Sequence, residues 1–307
     1  MFYLIISILC SSAIAIIFKI SENNKLNRYA VTTFNYMTAV FISLILIFQS
    51  KSIIPDIEVS NFLSEANTVI SNNNVFSLQY TLTWCIFLGS ITGVLYLISL
   101  LMYQFCVYKQ GISLTGTFSK LGIIVPTLLS ISLWGEIPSS FQWIGIVLSI
   151  LSILIINLDF SSNKFNYKSI KWSLILLFFV NGFTEFTSKI FEKYTLVEYK
   201  SLFLFIVFFT AFLLSLVLLY KSFKKGSSIT KYDIATGVCV GIPNLFSTFF
   251  LINSLKYIKA SIAFPTYSVG TILVINLFGI MVFKETLSKK ELFGILITLV
   301  GIFFLNI

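Results

Sequence analysis

Two charged residues stand deep inside apolar runs: Lys120, about eight residues into a run from 112 to 134, and Glu185, well inside a run from 172 to 191. A charge at membrane depth costs roughly 2.5–3.5 kcal/mol on insertion scales, so such residues face a cavity or one another. Three roles are open to them. They can form a structural ion pair between the two halves of the chain. They can line a cavity that holds a zwitterionic or anionic solute, with Glu185 as a proton-coupling carboxylate. Or Lys120 can snorkel to an interface on its flexible stem. Uncharged polar residues lie at similar depths: Asn35, Tyr36, Tyr96, Tyr103, Gln104, Asn181, Asn244, Asn253, Tyr267, Ser268 and Asn276. Amides in hydrocarbon need hydrogen-bond partners, so some of these line a cavity and others bridge helices. The candidates for a substrate cavity are Lys120, Glu185, Asn35, Tyr96, Gln104, Asn181, Asn244, Asn253 and Tyr267.

Other chemistries lack their residues. The chain has no histidine, the usual proton shuttle and the commonest ligand for zinc. Cys10, Cys85, Cys106 and Cys239 fall singly within apolar runs, which reads as buried structural thiols rather than a metal site or disulfide framework. No phosphate-binding P-loop occurs, so ATP is not the direct energy source. No cofactor, metal or enzymatic activity is expected.

The elements that must position these residues are membrane helices. The 307 residues are 57% hydrophobic and 11% charged, against roughly 25% charged in a soluble domain. Crossing a hydrocarbon core of about 30 Å takes about 20 mostly apolar residues. Ten segments meet this length, at about 2–20, 30–49, 81–107, 112–134, 140–158, 172–191, 201–220, 232–255, 261–283 and 291–306. The formal charge of +9 comes from lysine clusters between these runs, the pattern of helix-flanking charge rather than a nucleic-acid footprint. Ala13-Ile14-Ala15 looks like a signal-peptidase site, but no basic stretch precedes it and the apolar run continues. It reads as a retained first span. The long connection at about 50–78, rich in Asn, Ser and acids, reads as a solvated surface loop.

The chain also repeats itself. From Gly111 and from Ala260, two stretches align without gaps at a spacing of 149, matching Thr117 with Thr266, Ser119 with Ser268, Glu136 with Glu285, Gly145 with Gly294 and Asn157 with Asn306. Gly89 and Gly93 match Gly237 and Gly241 at a spacing of 148, and Lys19 and Glu22 match Lys189 and Glu192 at 170. The longer 50–78 loop accounts for the change in spacing. The expected architecture is all-α and integral to the membrane: ten transmembrane helices as two five-helix repeats, 1–160 and 161–307. Five is odd, so the second repeat has inverted topology, an arrangement that supports alternating access. Glu136 and Glu285 read as caps of the helix that follows each, and Gly145, Gly294 and the four upstream glycines as close helix contacts.

Trp134-Gly135-Glu136-Ile137-Pro138 followed by Gly145, and Phe283-Lys284-Glu285-Thr286-Leu287-Ser288 followed by Gly294, resemble the turn before each repeat's last helix in the drug/metabolite transporter superfamily, specifically its EamA-type ten-helix exporters. Lys19 and Lys189 fit the same pattern, and the likeness covers nearly the whole chain. One departure is the Ile-Pro after Glu136, which reshapes the turn. The resemblance implies a central substrate cavity lined by the first, third and fourth helices of each half, a last helix acting as scaffold, and both termini in the cytoplasm.

The expected function is secondary active export of a small polar metabolite such as an amino acid, proton-coupled, in the cell membrane, by a monomer or dimer. The alternatives are uptake or exchange of a sugar or nucleotide-linked solute, and a channel or structural subunit. A lone arginine, Arg28, argues against the nucleotide-linked solute. Charge gives a different orientation from the resemblance: 14 basic residues flank the spans on one side and six on the side of the termini, which places both termini outside.

Overall fold

The computed structural model describes residues 1–20, 26–50, 57–110, 112–157, 172–282 and 289–305. Their α-helices are α1 Phe2–Ile20, α2 Arg28–Ser50, α3 Phe62–Ser71, α4 Leu78–Gln110, α5 Ile112–Leu121, α6 Ile124–Trp134, α7 Ser140–Asn157, α8 Trp172–Tyr194, α9 Lys200–Phe223, α10 Lys231–Leu255, α11 Ala260–Met281 and α12 Lys289–Leu305. Helices are what an apolar chain must form in lipid, because each satisfies its own backbone groups. Among the described residues, six segments are long and apolar enough to cross a membrane: Arg28–Ser50, Leu78–Tyr103, Trp172–Tyr194, Val197–Phe223, Lys231–Leu255 and Ala260–Gly279. Phe2–Phe18, Phe118–Trp134, Ser140–Ile155 and Leu292–Leu305 are shorter apolar helices.

Two elements differ from expectation, each for a local reason. The run 112–134 breaks at Gly122–Ile123. Pro126 has no amide proton to give the Gly122 carbonyl four residues back, and that carbonyl instead accepts from Val125 at 3.0 Å. The connection at 50–78 is also more than a solvated loop. Asn61 takes a left-handed φ of 60° ahead of α3, whose Val69 is buried and whose Phe62 stacks on Phe76. Tyr80 Oη donates to Ser60 O at 2.9 Å and Thr83 Oγ1 to Glu58 O at 2.7 Å, which ties the segment to α4. The polar composition of 50–78 conceals the Phe62, Ala66 and Val69 face that docks.

Glycines set how the long helices cross. α4 packs on α9 and α8, α10 on α2 and α1, and α7 on α12. A Cβ at Gly93 would lie 2.5 Å from Val207 O and 2.7 Å from Thr210 Cβ; one at Gly241 would lie 2.6 Å from Asn35 O and 2.7 Å from Thr38 Cβ. The two crossings are alike in detail: glycines matched in the sequence meet residues that are themselves evenly spaced, since 207 and 35, and 210 and 38, both differ by 172. Gly145 of α7 likewise approaches Gly301 O and Leu305 N of α12. Gly294 is buried in α12, where its carbonyl accepts from Thr298 Oγ1 at 3.0 Å.

The main core gathers at the bundle end that carries α3. Phe76, Tyr80, Trp84, Phe191, Tyr194 and Phe203 are buried there, with Phe76 and Trp84 stacked at 4.7 Å and Phe191 and Phe203 at 4.4 Å. Phe76 N donates to Tyr194 O at 3.0 Å and pins the start of α4 to the end of α8. At the opposite end Asp233 is fully buried. It accepts from Thr230 N and Asn27 N, both at 2.7 Å, and so clamps the starts of α10 and α2 together.

Replacing Gly93 or Gly241 by leucine forces these crossings apart, and overpacking of this kind costs about 1–3 kcal/mol or more. Each variant is expected to melt several degrees lower in detergent, by similar amounts; an unshifted melting temperature would refute the close-contact role. For orientation, an impermeant thiol reagent on intact cells is expected to label a Ser64→Cys variant, because the charge bias puts α3 outside. Protection of that cysteine reverses the assignment.

Candidate functional site

A cavity of about 250 Å³ lies among α1, α2, α4, α5, α8, α10 and α11. Seven of the expected residues line it: Asn35, Tyr96, Lys120, Asn181, Glu185, Asn244 and Tyr267. The lining also includes Tyr36, Tyr103 and Ser268 at polar depth, and Ser99, Ser119, Thr184, Ser247 and Thr248. The small hydroxyl residues went unselected because serine and threonine are common in membrane helices and carry no charge to mark them. Pairing within the repeat does mark some: Ser99 matches Ser247, and Ser119 matches Ser268. Asn253 lies in the last turns of α10 and is not among the lining residues. The side chain of Gln104 lies outside the described residues, as do Glu285 and the side chain of Lys19. The helices implied by the resemblance all contribute, and α2 adds Asn35 and Tyr36.

The neutral polar groups satisfy one another across helices. Asn244 Nδ2 donates to Asn35 Oδ1 at 3.1 Å, which bridges α10 to α2. Tyr96 Oη and Thr248 Oγ1 share a proton at 2.7 Å, as do Ser247 Oγ and Tyr267 Oη at 2.9 Å. Asn181 accepts from Ser99 Oγ and donates to Ser119 Oγ at 2.5 Å, so α8 is joined to α4 and α5. Buried polar networks of this kind fix geometry when every member is paired.

The two charges are treated differently. Neither the Lys120 ammonium nor the Glu185 carboxylate makes a hydrogen bond or an ion pair with another described residue. Lys120 Nζ stands 6.0 Å from the centre of the Tyr267 ring, within cation–π range. It sits in the last turn of α5, where the negative end of the helix dipole favours a cation. Ser268 Oγ donates to Lys120 O at 3.3 Å, which holds the broken end of α5 against α11. A Cβ on Gly182 would come within 2.6 Å of Gly122 O, so α8 crosses the break at van der Waals contact. Glu185 follows Gly182 by three residues on α8. The Pro126 break and the glycine crossing thereby bring the two charges to one cavity.

Glu136 does not cap the helix that follows it. Ser139 does: its Oγ accepts from Gln142 N at 3.2 Å, while Gln142 Oε1 accepts from Ser139 N at 2.9 Å. Gly135, at φ +62°, turns the chain at the end of α6, and Glu136 then reaches Ala260 N, at the start of α11, at 2.6 Å. The same carboxylate pairs with Lys189 Nζ at 2.7 Å, and Glu192 holds that ammonium from its other side, also at 2.7 Å. Lys189 is only 4% exposed. The sequence reads Glu136 as a local cap because its partners on α8 and α11 are 53 and 124 positions away.

Comparison with known proteins places the chain coarsely. The profile of the Small Multidrug Resistance protein family matches residues 237–298, from α10 into α12. An uncharacterized protein of Haemophilus influenzae is 24% identical over 304 residues, which cover 98% of this chain and 96% of that one. A solved crystal structure of a protein, 12% identical, superposes with a TM-score of 0.73 over 100% of this chain and 97% of that chain. The chain is a helical membrane protein whose residues 237–298 are similar to the Small Multidrug Resistance family.

If the cavity uses Lys120 to hold a solute, Lys120→Met is expected to weaken solute binding at least tenfold while the melting temperature of the solute-free protein changes little. Calorimetric titration and a thermal melt on one preparation separate the two effects. A large drop in melting temperature with unchanged affinity makes Lys120 structural.

Proposed function

We propose that the protein is a secondary active transporter of a small zwitterionic metabolite, such as an amino acid, and that it works by alternating access with Glu185 as the proton-coupling carboxylate. The observation that carries this reading is the placement of Lys120 and Glu185 in one cavity, neither hydrogen-bonded nor in a short ion pair among the described residues, while the neutral groups around them are hydrogen-bonded to one another. A solute with one charge of each sign completes that arrangement: its carboxylate meets Lys120 and its ammonium meets Glu185. A proton on Glu185 competes with the ammonium for the same oxygens, which couples release of one to binding of the other.

Three further observations support it. The multidrug-resistance-type match covers helices that line the cavity. The reciprocal glycine crossings of α4 on α9 and α10 on α2 accord with two five-helix repeats of opposite topology. Among the described residues, four tyrosines and two charged side chains of opposite sign line the cavity, a lining matched to a net-neutral solute rather than a phosphate.

A thermal-shift screen of purified protein against amino acids, nucleosides, sugars and cationic drugs tests the substrate class. A ligand at 100 times its dissociation constant stabilises by about 2.7 kcal/mol, so an amino-acid hit is expected to raise the melting temperature visibly. A response confined to phosphorylated sugars would replace the zwitterion reading. In proteoliposomes, Glu185→Gln is expected to abolish proton-driven transport of that solute while inserting normally. Transport that keeps its pH dependence in the variant removes the coupling role.

A further inference from the structure

Lys189 is a buried cation outside the cavity, and transport chemistry makes no direct use of it. Its ammonium joins Glu136, in the turn after α6, to Glu192 on its own helix α8. Glu136 in turn accepts the first amide of α11, from Ala260 at 2.6 Å. One lysine, two carboxylates and a helix N-terminus thus connect the turn after α6 to α8 and α11, beside the hydrogen bond from Lys259 Nζ to Ile137 O at 3.2 Å. The sign of each part fits: the second carboxylate exceeds the charge of Lys189, and the positive end of the α11 dipole offsets the excess. Lys189 also stands 5.9 Å from the Trp134 ring, and Trp134 Nε1 donates to Tyr194 Oη at 3.2 Å.

The position of this cluster matters. Lys189 lies one turn beyond Glu185 on α8, and Ala260 lies two turns before Tyr267 on α11. Both displacements run toward the bundle end that carries α3, where Phe76, Trp84 and Tyr194 pack. The cluster therefore stands between the cavity and that end. Replacing a buried ion pair by apolar packing is often neutral or stabilising, and the best-attested use of such a pair is as a register or switch device. A tie of side chains breaks and re-forms without disturbing helical backbone, unlike the close glycine crossings of α7 on α12 or α10 on α2.

We propose that the Glu136–Lys189–Glu192 cluster, with the α11 N-terminus, is a releasable tie that closes the α3 end of the cavity, and that the cavity opens at that end only when the tie breaks. The proposal rests on the alternating-access reading. Closure joins α6, which follows the break after Lys120, to α8 and α11, which present Glu185 and Tyr267, so opening draws the walls of the site apart.

The test reads which end of the cavity is open. A Thr248→Cys reporter, in a chain with the four native cysteines replaced by alanine, is labelled with an impermeant thiol reagent from either face of oriented vesicles. Lys189→Met and Glu136→Gln are each expected to raise the labelling rate from the α3 face by about tenfold and to lower it from the other face, since freeing one state shifts the population between them. In the otherwise native chain, hydrogen exchange at the first turn of α11 is expected to rise in the same variants, which covers the case where the cysteine-free background folds poorly. A reporter labelled from one face at a time, whose preference neither variant moves, removes the tie and leaves alternating access standing. A reporter in the chain with an intact cluster that reacts equally from both faces removes alternating access, and the tie with it.

Discussion

The close crossing of α4 on α9 and of α10 on α2 is the contact on which the rest of the molecule depends. In lipid no hydrophobic force drives one helix toward another, so association comes from packing of backbones near enough to touch, which small residues permit. At Gly93 and Gly241 the neighbouring carbonyl oxygens lie where a side chain would begin. Both crossings leave α4 and α10 with one face against a partner helix and another face turned to the cavity, where Tyr96 and Ser99, and Asn244 and Ser247, project. With helices held at that distance, an amide on one reaches an amide on the next, as Asn244 reaches Asn35. The polar network follows from the crossings rather than producing them.

Lysine appears in this frame in two opposite settings, and the contrast shows where binding and holding are separated. Lys189 is almost fully enclosed and has two carboxylates at 2.7 Å. Lys120 is in the cavity with an aromatic ring at 6.0 Å and no carboxylate bonded to it. Charge in a low dielectric is costly unless paired, and in the cavity Lys120 and Glu185 offset one another only at a distance, without a direct bond. The repeat sharpens this point. Lys120 aligns with Val269 and Glu185 with Ala15 in the matched stretches of the sequence, so neither charge has a charged counterpart at its matched position.

Much of this was legible in the residues. The apolar runs locate the helices, because membrane thickness fixes their length, and matched glycines identify crossings without any structure. Lys120 and Glu185 stand out since charge is rare at depth, and Asn35, Asn181 and Asn244 stand out for the same reason more weakly. Three features were hidden. The α5–α6 break follows from Pro126 acting on a carbonyl four residues earlier, inside a run whose hydropathy is unbroken. The docking of α3 depends on three apolar residues in a polar stretch. The Glu136–Lys189 pair joins residues that each sit at a helix end, where charge is ordinarily solvated and gives no hint of a buried partner. Sequence exposes what departs from its surroundings, and a buried pair at a helix end departs from nothing.

The separation of binding from holding is not complete, because both act through one helix. Asn181, Glu185, Lys189 and Glu192 lie at intervals of four, four and three on α8, the spacing of a single helical face. Four residues advance an α-helix by about 6 Å, so the cavity carboxylate and the lysine of the cluster are one turn apart on a rigid rod. α8 cannot shift toward a ligand at Glu185 without moving Lys189 against Glu136, which is fixed to the first turn of α11. The Gly122–Gly182 crossing holds the same rod against the broken span that carries Lys120. A change at either charge of the cavity is therefore a mechanical change at the cluster as well, transmitted through a few contacts that have no soft element between them. On the proposed transport reading, that physical link is what a coupled carrier requires: occupancy of the site and closure of one end would both follow the position of a single helix.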